Sequence, residues 1–254
     1  MLTIWAMLGL IGVSWSGETQ NVGSAHSLHG SIDLAIVFVS DANSRWTLRE
    51  QRVMKRQIRN GANWIELDAK RYGIYDIQFR DRTYGKWNNI HLDWLPSGTR
   101  SGNEDVQLVN TISTELGFEK PQQFRNRHNG DQFIALICLK RDGASYAIPQ
   151  EVGLSERFDI EGAVLYQNFD TDIPNCATCI AHEILHLFGG WDLYKTFQTS
   201  EEQEKEARIQ FPNSVMLRTS YDVSDVEIDS LTAWRIGWTE QPTEAYFFQP
   251  THFD

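Results

Sequence analysis

Positive charge, cysteine and long apolar runs are all scarce in this sequence of 254 residues. Three cysteines are too few for a small fold that depends on disulfides in place of a hydrophobic core. The 34 Asp and Glu residues outnumber the 23 Lys and Arg residues, and a net charge of -11 disfavours binding to nucleic acid. Nine tryptophans and a hydrophobic fraction of 41% exclude a disordered chain and supply the core of a large domain.

The first 17 residues contain no charged side chain. Their apolar run is too short to span a bilayer, and Ser14 and Ser16 are small residues suited to a signal-peptidase cleavage site. We therefore interpret residues 1–16 as a signal peptide and expect a secreted or periplasmic protein with a single domain over residues 17–254. Because no second long apolar run follows, we expect no stable membrane insertion after the signal peptide is cleaved.

Apolar, β-branched runs in the first two thirds of the chain predict strands, and patterns with a helical period predict helices. Strands concentrate before residue 170 and helices after it, which favours an α+β fold with a mixed sheet. The predicted strands are 31–40, 75–79, 90–94, 133–140 and 163–169, and the predicted helices are 45–60, 62–70, 104–116, 177–188, 201–209 and 225–236.

The three cysteines leave one thiol unpaired if the protein is exported. Cys138 lies in a predicted buried strand, whereas Cys176 and Cys179 stand just before a predicted helix. A disulfide from Cys138 to either of the other two and a Cys176–Cys179 disulfide are both open. A CxxC pair alone is weak evidence for redox chemistry, and a structural bridge explains it more simply.

The segment HEILHLFGGWDLY combines residue types that bind a metal with one that can move a proton. His182 and His186 are four residues apart, so a helix brings both imidazoles to one face, where they can bind one Zn²⁺. Glu183 can act as a general base beside that ion. Gly189 and Gly190 end the helix, and the chain can then fold back so that Asp192 supplies a third ligand. Three protein ligands leave one position open, as in catalytic zinc sites.

The pattern HExxHxxGxxD resembles the metzincin clan of zinc endopeptidases, in the variant with Asp as third ligand that snapalysin-type and immune-inhibitor-A-type peptidases carry. Residues 212–217, PNSVML, resemble the methionine-containing turn of that clan, with Met216 packed beneath the metal. Residues 225–238 resemble the helix that follows this turn, and Trp234 and Trp238 are similar to the end of the immune-inhibitor-A-type domain. The specific resemblance covers residues 176–238.

The resemblance implies a twisted mixed sheet with two long helices over residues 30–190 and a smaller, mainly helical subdomain over residues 191–254. It also implies a secreted zinc endopeptidase with one catalytic ion, Glu183 as general base and a protein or peptide substrate. Tyr194 and Tyr221 are candidates for stabilising the oxyanion. We expect the substrate to lie along an exposed strand edge, at residues 163–169 or in the extended segment before them.

Three other interpretations of these residues stay open. The first is a closed structural zinc site, for which the sequence offers Cys176, Cys179, His182 and His186. The second takes the third ligand from the acidic helix that follows, which contains Glu201, Glu202, Glu204 and Glu206. The third is a catalytically silent module on the same scaffold that binds a metal or another protein. Glu183 favours the enzyme, because a silent relative has no need of that carboxylate.

Overall fold

A mixed β-sheet forms the centre of the fold in a computed structural model that describes residues 24–85, 89–94, 102–149, 160–170, 173–196 and 198–249. Its main strands lie in the order β2-β1-β4-β6-β5; the first four are parallel and β5 is antiparallel to β6. The strands are β1 (Ser31–Ser40), β2 (Gln78–Tyr84), β3 (Ile90–His91), β4 (Gln132–Asp142), β5 (Tyr146–Ile148), β6 (Glu161–Asp170) and β7 (Ile173–Pro174). The predicted α+β class with a mixed sheet is confirmed. The predicted signal peptide lies outside the described residues.

Helices cover both faces of this sheet. They are α1 (Leu48–Ala69), α2 (Gly102–Glu115), α3 (Pro121–Arg125), α4 (Ala177–Leu187), α5 (Glu201–Gln210) and α6 (Ser230–Arg235). Short 3-10 turns lie at Lys70–Tyr72, Val223–Asp225 and Thr243–Tyr246. Within the described ranges, none of the helices combines the length and the apolar character that crossing a membrane requires.

Strand β1 shows how the alternation of side chains divides the core into two layers. Its even-numbered residues, among them Ile36 and Phe38, join the cluster that contains α1 and α4. Its odd-numbered residues, among them Val37 and Val39, join the cluster on the opposite face with residues of α2 and α3. A strand buried on both faces is continuously apolar, which is why the pattern of this segment was readable from the sequence.

The prediction of two helices over residues 45–70 is wrong, because α1 is one continuous helix of 22 residues. Gly61, the residue between the two predicted helices, lies inside it. A Cβ at this position would stand 2.6 Å from the carbonyl oxygen of Ala177, the first residue of α4. The glycine therefore allows close contact between α1 and α4, and this contact offsets its low helix propensity.

Other boundaries also differ from the predictions. The strand predicted at 75–79 lies at Gln78–Tyr84, that at 90–94 shrinks to two residues, and α3, β5 and β7 were not predicted. The helix predicted at 225–236 starts only at Ser230, because the side chain of Asp229 caps it by accepting a hydrogen bond from the Thr232 amide. Residues before the cap instead pair with the 213–215 segment, where the Val215 amide donates to the Glu227 carbonyl.

Of the two positions that the sequence suggested for an exposed strand edge, residues 163–169 are not the edge next to α4, whereas the segment before them contains it. Strand β6 is covered by β5 at residues 162–164 and by β7 near residues 168 and 170. The outermost strand on this side is β5, in the segment that precedes β6.

The chain after α4 packs into the same core as α1 and α4, to which Val215, Ile228, Leu231 and Trp238 all contribute. The segment before β1 ties this part to the sheet. The Leu28 amide donates to the Ile236 carbonyl, and the Trp238 indole donates to the Leu28 carbonyl. The proposed subdomain boundary near residue 190 stays a prediction.

Candidate metal centre

Helix α4 supplies three of the predicted site residues, and its start is defined by a disulfide. Cys176 is the N-cap, and its sulfur accepts a hydrogen bond from the Cys179 amide. The two cysteines are bonded to each other, and Cys138 is a buried free thiol whose pKa is raised by burial. Of the open pairings, the structure thus has Cys176–Cys179. The closed zinc site of two cysteines and two histidines is wrong, because zinc is bound by thiolates and not by disulfide sulfurs.

The turn after α4 brings the chain back over the helix. Gly189 has φ of 100°, a conformation that favours glycine, and the Gly190 amide donates to the Leu185 carbonyl. Hydrogen bonds then hold the peptide group between Asp192 and Leu193 through both its carbonyl and its amide. The Leu193 amide donates to the Met216 carbonyl, and the Thr199 hydroxyl donates to the Asp192 carbonyl at 2.8 Å. These contacts direct the Asp192 side chain towards the histidines of α4.

The three predicted ligands converge on one point. His182 Nε2 lies 3.0 Å from His186 Nε2, and Asp192 Oδ1 lies 3.2 and 3.0 Å from these two nitrogens. Ligand atoms on a tetrahedral zinc with bonds of about 2.0–2.1 Å are about 3.3 Å apart. In the described part of the chain, these residues form the one group of three His, Cys, Asp or Glu side chains close enough to share an ion.

The outer ring nitrogens determine which atoms face the centre. His182 Nδ1 lies 3.0 Å from the Val215 carbonyl oxygen, and His186 Nδ1 lies 2.7 Å from the Gly190 carbonyl oxygen. A carbonyl oxygen only accepts, so each Nδ1 carries a hydrogen, and in the neutral ring each Nε2 presents a lone pair to the centre. Two lone pairs and a carboxylate oxygen at 3.0–3.2 Å repel one another unless a cation lies among them. The donor set therefore fits a divalent metal.

The electrostatics also favour positive charge at this point. Burial lowers the pKa of His182, but the hydrogen bond that its ring donates to Asp192 and the charges of Glu183 and Asp192 outweigh this effect and raise the pKa to about 9. Burial raises the pKa of Asp192, yet the two histidines hold it well below its usual range. Both shifts express the same preference for a cation between these side chains.

The segment predicted as the methionine turn packs against the residues that carry the ligands, since the Val215 carbonyl lies 3.0 Å from His182 Nδ1. Met216 is fully buried, and its carbonyl accepts a hydrogen bond from the amide of Leu193, the residue after Asp192. The turn is held by Ser214, whose hydroxyl donates to Asp229 at 2.6 Å and accepts from the Met216 amide at 3.0 Å. Asp229 and Thr199 support the site and were missed by the sequence analysis. The N-cap spacing from Asp229 to Thr232 was a signal for the first, whereas Thr199 had none.

A cavity of about 370 Å³ opens beside His182, one of the three candidate ligands. Glu183, only 8% exposed, lines it with His182, and the Tyr194 ring stacks 6.0 Å from the His182 ring. Tyr221 does not line this cavity: it is 66% exposed and its hydroxyl donates to the Pro174 carbonyl. Of the two tyrosine candidates, the structure brings only Tyr194 to the centre. The other lining residues are Ala144, Ser145, Phe169, Asn175, Cys179, Val215, Leu217, Arg218 and Thr219.

The acidic helix α5 does not supply the third ligand in this structure. Glu201 pairs with Lys205, and Glu204 pairs with Arg208 and accepts the Lys195 amide. These contacts are those of a solvated, charged helix face. Since Asp192 already stands beside both histidines, the alternative ligand set has no support among the described residues.

Comparisons with known proteins identify no family for this chain. No family model matches, and no curated protein matches. A solved structure described as "Structure of a chaperone-substrate complex" matches with 18% sequence identity and a TM-score of 0.38. The match covers 68% of this chain but 26% of the other, so this chain spans about a quarter of that protein's length. A likeness at this score bears on neither the fold nor the function of this chain.

Proposed function

We propose that this chain is a zinc-dependent endopeptidase of the metzincin type. The observation that carries the proposal is the convergence of His182, His186 and Asp192, with ligand atoms 3.0–3.2 Å apart, beside a cavity that Glu183 lines. The HExxHxxGxxD pattern and the buried Met216, whose turn holds the Nδ1 of His182, support it. Two imidazoles and one carboxylate leave a tetrahedral ion one open position, as in catalytic zinc sites.

Different residues of this chain have different roles in the proposed peptide hydrolysis. When bound, zinc supplies Lewis-acid polarisation of a carbonyl and acidification of water. Glu183 accepts the proton from the attacking water and later donates it to the leaving amine, for which its place in the cavity wall next to His182 is suited. Tyr194, at the same wall, is the candidate donor to the developing oxyanion.

A peptide in extended conformation is the substrate that this cleft suits. Strand β5 is the outermost strand next to α4, and a peptide can add to such an edge by backbone hydrogen bonds. Ala144 and Ser145, which lead into β5, also line the cavity, so a peptide on this edge would pass His182 and Glu183. Phe169, Val215 and Leu217 make part of the wall apolar and favour an apolar side chain there.

We also propose that the protein is secreted or periplasmic. The uncharged run at residues 1–17 supports a signal peptide, and a disulfide between Cys176 and Cys179 is typical of an oxidising compartment. In such a compartment the substrates would be proteins or peptides outside the cytosol.

The test is hydrolysis of a mixed peptide library by the zinc-loaded protein, with and without a chelator. We expect the chelator to abolish cleavage and Glu183→Gln to reduce it at least about 100-fold. Glu183→Gln keeps the shape of the side chain, so zinc content should stay near one ion per chain. Glu202→Gln, on the exposed face of α5, is the matched control and should cleave as the wild type does.

Two outcomes would overturn the proposal. If the wild type binds zinc but cleaves no peptide, the catalytically silent module becomes the better interpretation. If Glu183→Gln cleaves as fast as the wild type, Glu183 is not the general base.

A further inference from the structure

Arg235 is a buried charged side chain that no step of the proposed reaction uses. It lies in the last turn of α6 and is 5% exposed. A buried guanidinium adds little stability compared with an apolar side chain of similar size, so its role lies in what it fixes in place. Its contacts include the turn between α4 and Asp192 and the tryptophan that packs on that turn.

Two contacts join Arg235 to this turn. Its Nε donates to the Gly189 carbonyl at 2.9 Å, at the C-terminal end of α4, where the helix dipole favours a cation. Its guanidinium lies 4.0 Å from the ring centre of Trp191, the residue before Asp192. Trp234 packs edge-on against Trp191 at 6.0 Å, and its ring centre lies 5.5 Å from the same guanidinium. The guanidinium therefore holds both ends of the turn at once.

The opposite side of Asp192 is already fixed by other contacts. The Thr199 hydroxyl binds the Asp192 carbonyl, and the Leu193 amide binds the Met216 carbonyl. Arg235 supplies the missing constraint on the side of Gly189. Both ends of helix α6 therefore contact segments that position the ligands. Asp229 at its start binds the Ser214–Met216 turn, and Arg235 at its end binds the 189–191 turn.

We propose that Arg235 is a positioning residue for the third metal ligand, which it keeps beside the two histidines by clamping Gly189 and Trp191. The inference rests on the proposed metal centre. It does not depend on peptide cleavage, because a ligand that is held in place raises the affinity for the ion before any reaction occurs.

The test measures Zn²⁺ affinity by competition with a chromophoric chelator, well below the unfolding temperature of each variant. We expect Arg235→Met to weaken Zn²⁺ binding about 10- to 100-fold, as loss of an outer partner of a metal ligand does. Arg235→Lys keeps the charge but not the planar stack, so it should recover part of the affinity. The visible spectrum of the Co²⁺-loaded protein should change in Arg235→Met, because the ligand geometry changes.

A double-mutant cycle separates clamping from general packing. Trp191→Leu removes the stack and should also weaken Zn²⁺ binding. If both residues act through one clamp, the double variant loses less than the product of the two single losses. Arg71→Met is the control, since Arg71 binds Asp68 and Glu227 in the same part of the fold without contacting this turn; it should keep the wild-type affinity.

The outcomes distinguish this inference from the proposed function. Wild-type Zn²⁺ affinity and an unchanged Co²⁺ spectrum in Arg235→Met, with only a lower unfolding temperature, would overturn the inference alone. If that variant does not fold, Trp191→Leu decides, and wild-type affinity there has the same meaning. If the wild type itself binds no Zn²⁺, the proposed function fails and this inference with it.

Discussion

Two buried clusters in this molecule each join a histidine to an aspartate, and only one of them has the form of a metal site. In the first, His182, His186 and Asp192 direct acceptor atoms at one another. In the second, on the opposite side of the sheet, His128 Nδ1 lies 3.5 Å from Asp33. The residue types and their burial are similar, so the difference lies in where the hydrogens are.

Every acceptor of the second cluster faces a donor from the protein. Asp33 Oδ1 accepts from Arg80 at 2.8 Å, and Oδ2 accepts from the amides of Asn129 and Gly130. His128 Nε2 lies 3.0 Å from the Tyr84 hydroxyl. A cation has no group of free lone pairs to bind here. In the first cluster, backbone carbonyls take the ring hydrogens and leave the lone pairs facing inward. Hydrogen-bond geometry, more than residue type, therefore distinguishes a metal centre from a structural network.

The largest expected contrast is in zinc affinity. His186→Ala removes a ligand and should weaken Zn²⁺ binding at least about 100-fold, beyond the loss from an outer partner. His128→Phe should leave Zn²⁺ affinity unchanged and lower the free energy of unfolding instead. Competition with a chelator and urea unfolding of the same two proteins check this. Equal zinc affinity in His186→Ala and the wild type would remove the distinction between the clusters.

A smaller contrast concerns the stability that the second cluster provides. Asp33→Asn takes away a charged acceptor of three hydrogen bonds and should lower the free energy of unfolding by about 2 kcal/mol. Asp81→Asn, which disturbs the more exposed pairs with Arg59 and Lys55, is the control and should cost about 0.5 kcal/mol or less. Urea unfolding at pH 7 measures both. A loss of similar size in the two variants would mean that the buried network adds nothing beyond surface ion pairs.

The smallest effect is a dependence of stability on pH. Burial lowers the pKa of His128, and Arg82 and Arg80 act in the same direction, while Asp33 opposes them. A histidine with a lowered pKa binds fewer protons when folded, so stability falls as the pH drops below the unfolded value of about 6.5. The loss is complete below the folded pKa. The wild type should therefore lose more stability between pH 7 and pH 5 than His128→Phe does, as urea midpoints would show. If the wild type and His128→Phe lose the same stability between pH 7 and pH 5, the pH dependence comes from other groups.

Local sequence patterns predicted the strands and helices in which buried residues follow a regular spacing. Strand β1 was predicted with its observed bounds, Ser31–Ser40, because a strand buried on both faces is apolar throughout. Helix α4 was predicted within a residue, since its apolar spacing and the glycines after it are local signals. Helix α1 was predicted as two helices on either side of Gly61. The close contact with Ala177 that requires a glycine there joins distant parts of the chain, so it leaves no local pattern. Strand β5 was missed because three residues carry too little pattern.

The sequence by itself determined that His182, Glu183 and His186 share one turn of one helix, because the helical repeat places residues four apart on the same face. Only the tertiary structure decided that Asp192 meets them, that Cys176 bonds to Cys179, and that Tyr194 rather than Tyr221 borders the cavity. These outcomes depend on contacts across long sequence separations, such as Leu193 with Met216 and Arg235 with Gly189. Helix geometry is set by the dihedral angles of neighbouring residues, whereas the path of a loop is set by whatever it packs against.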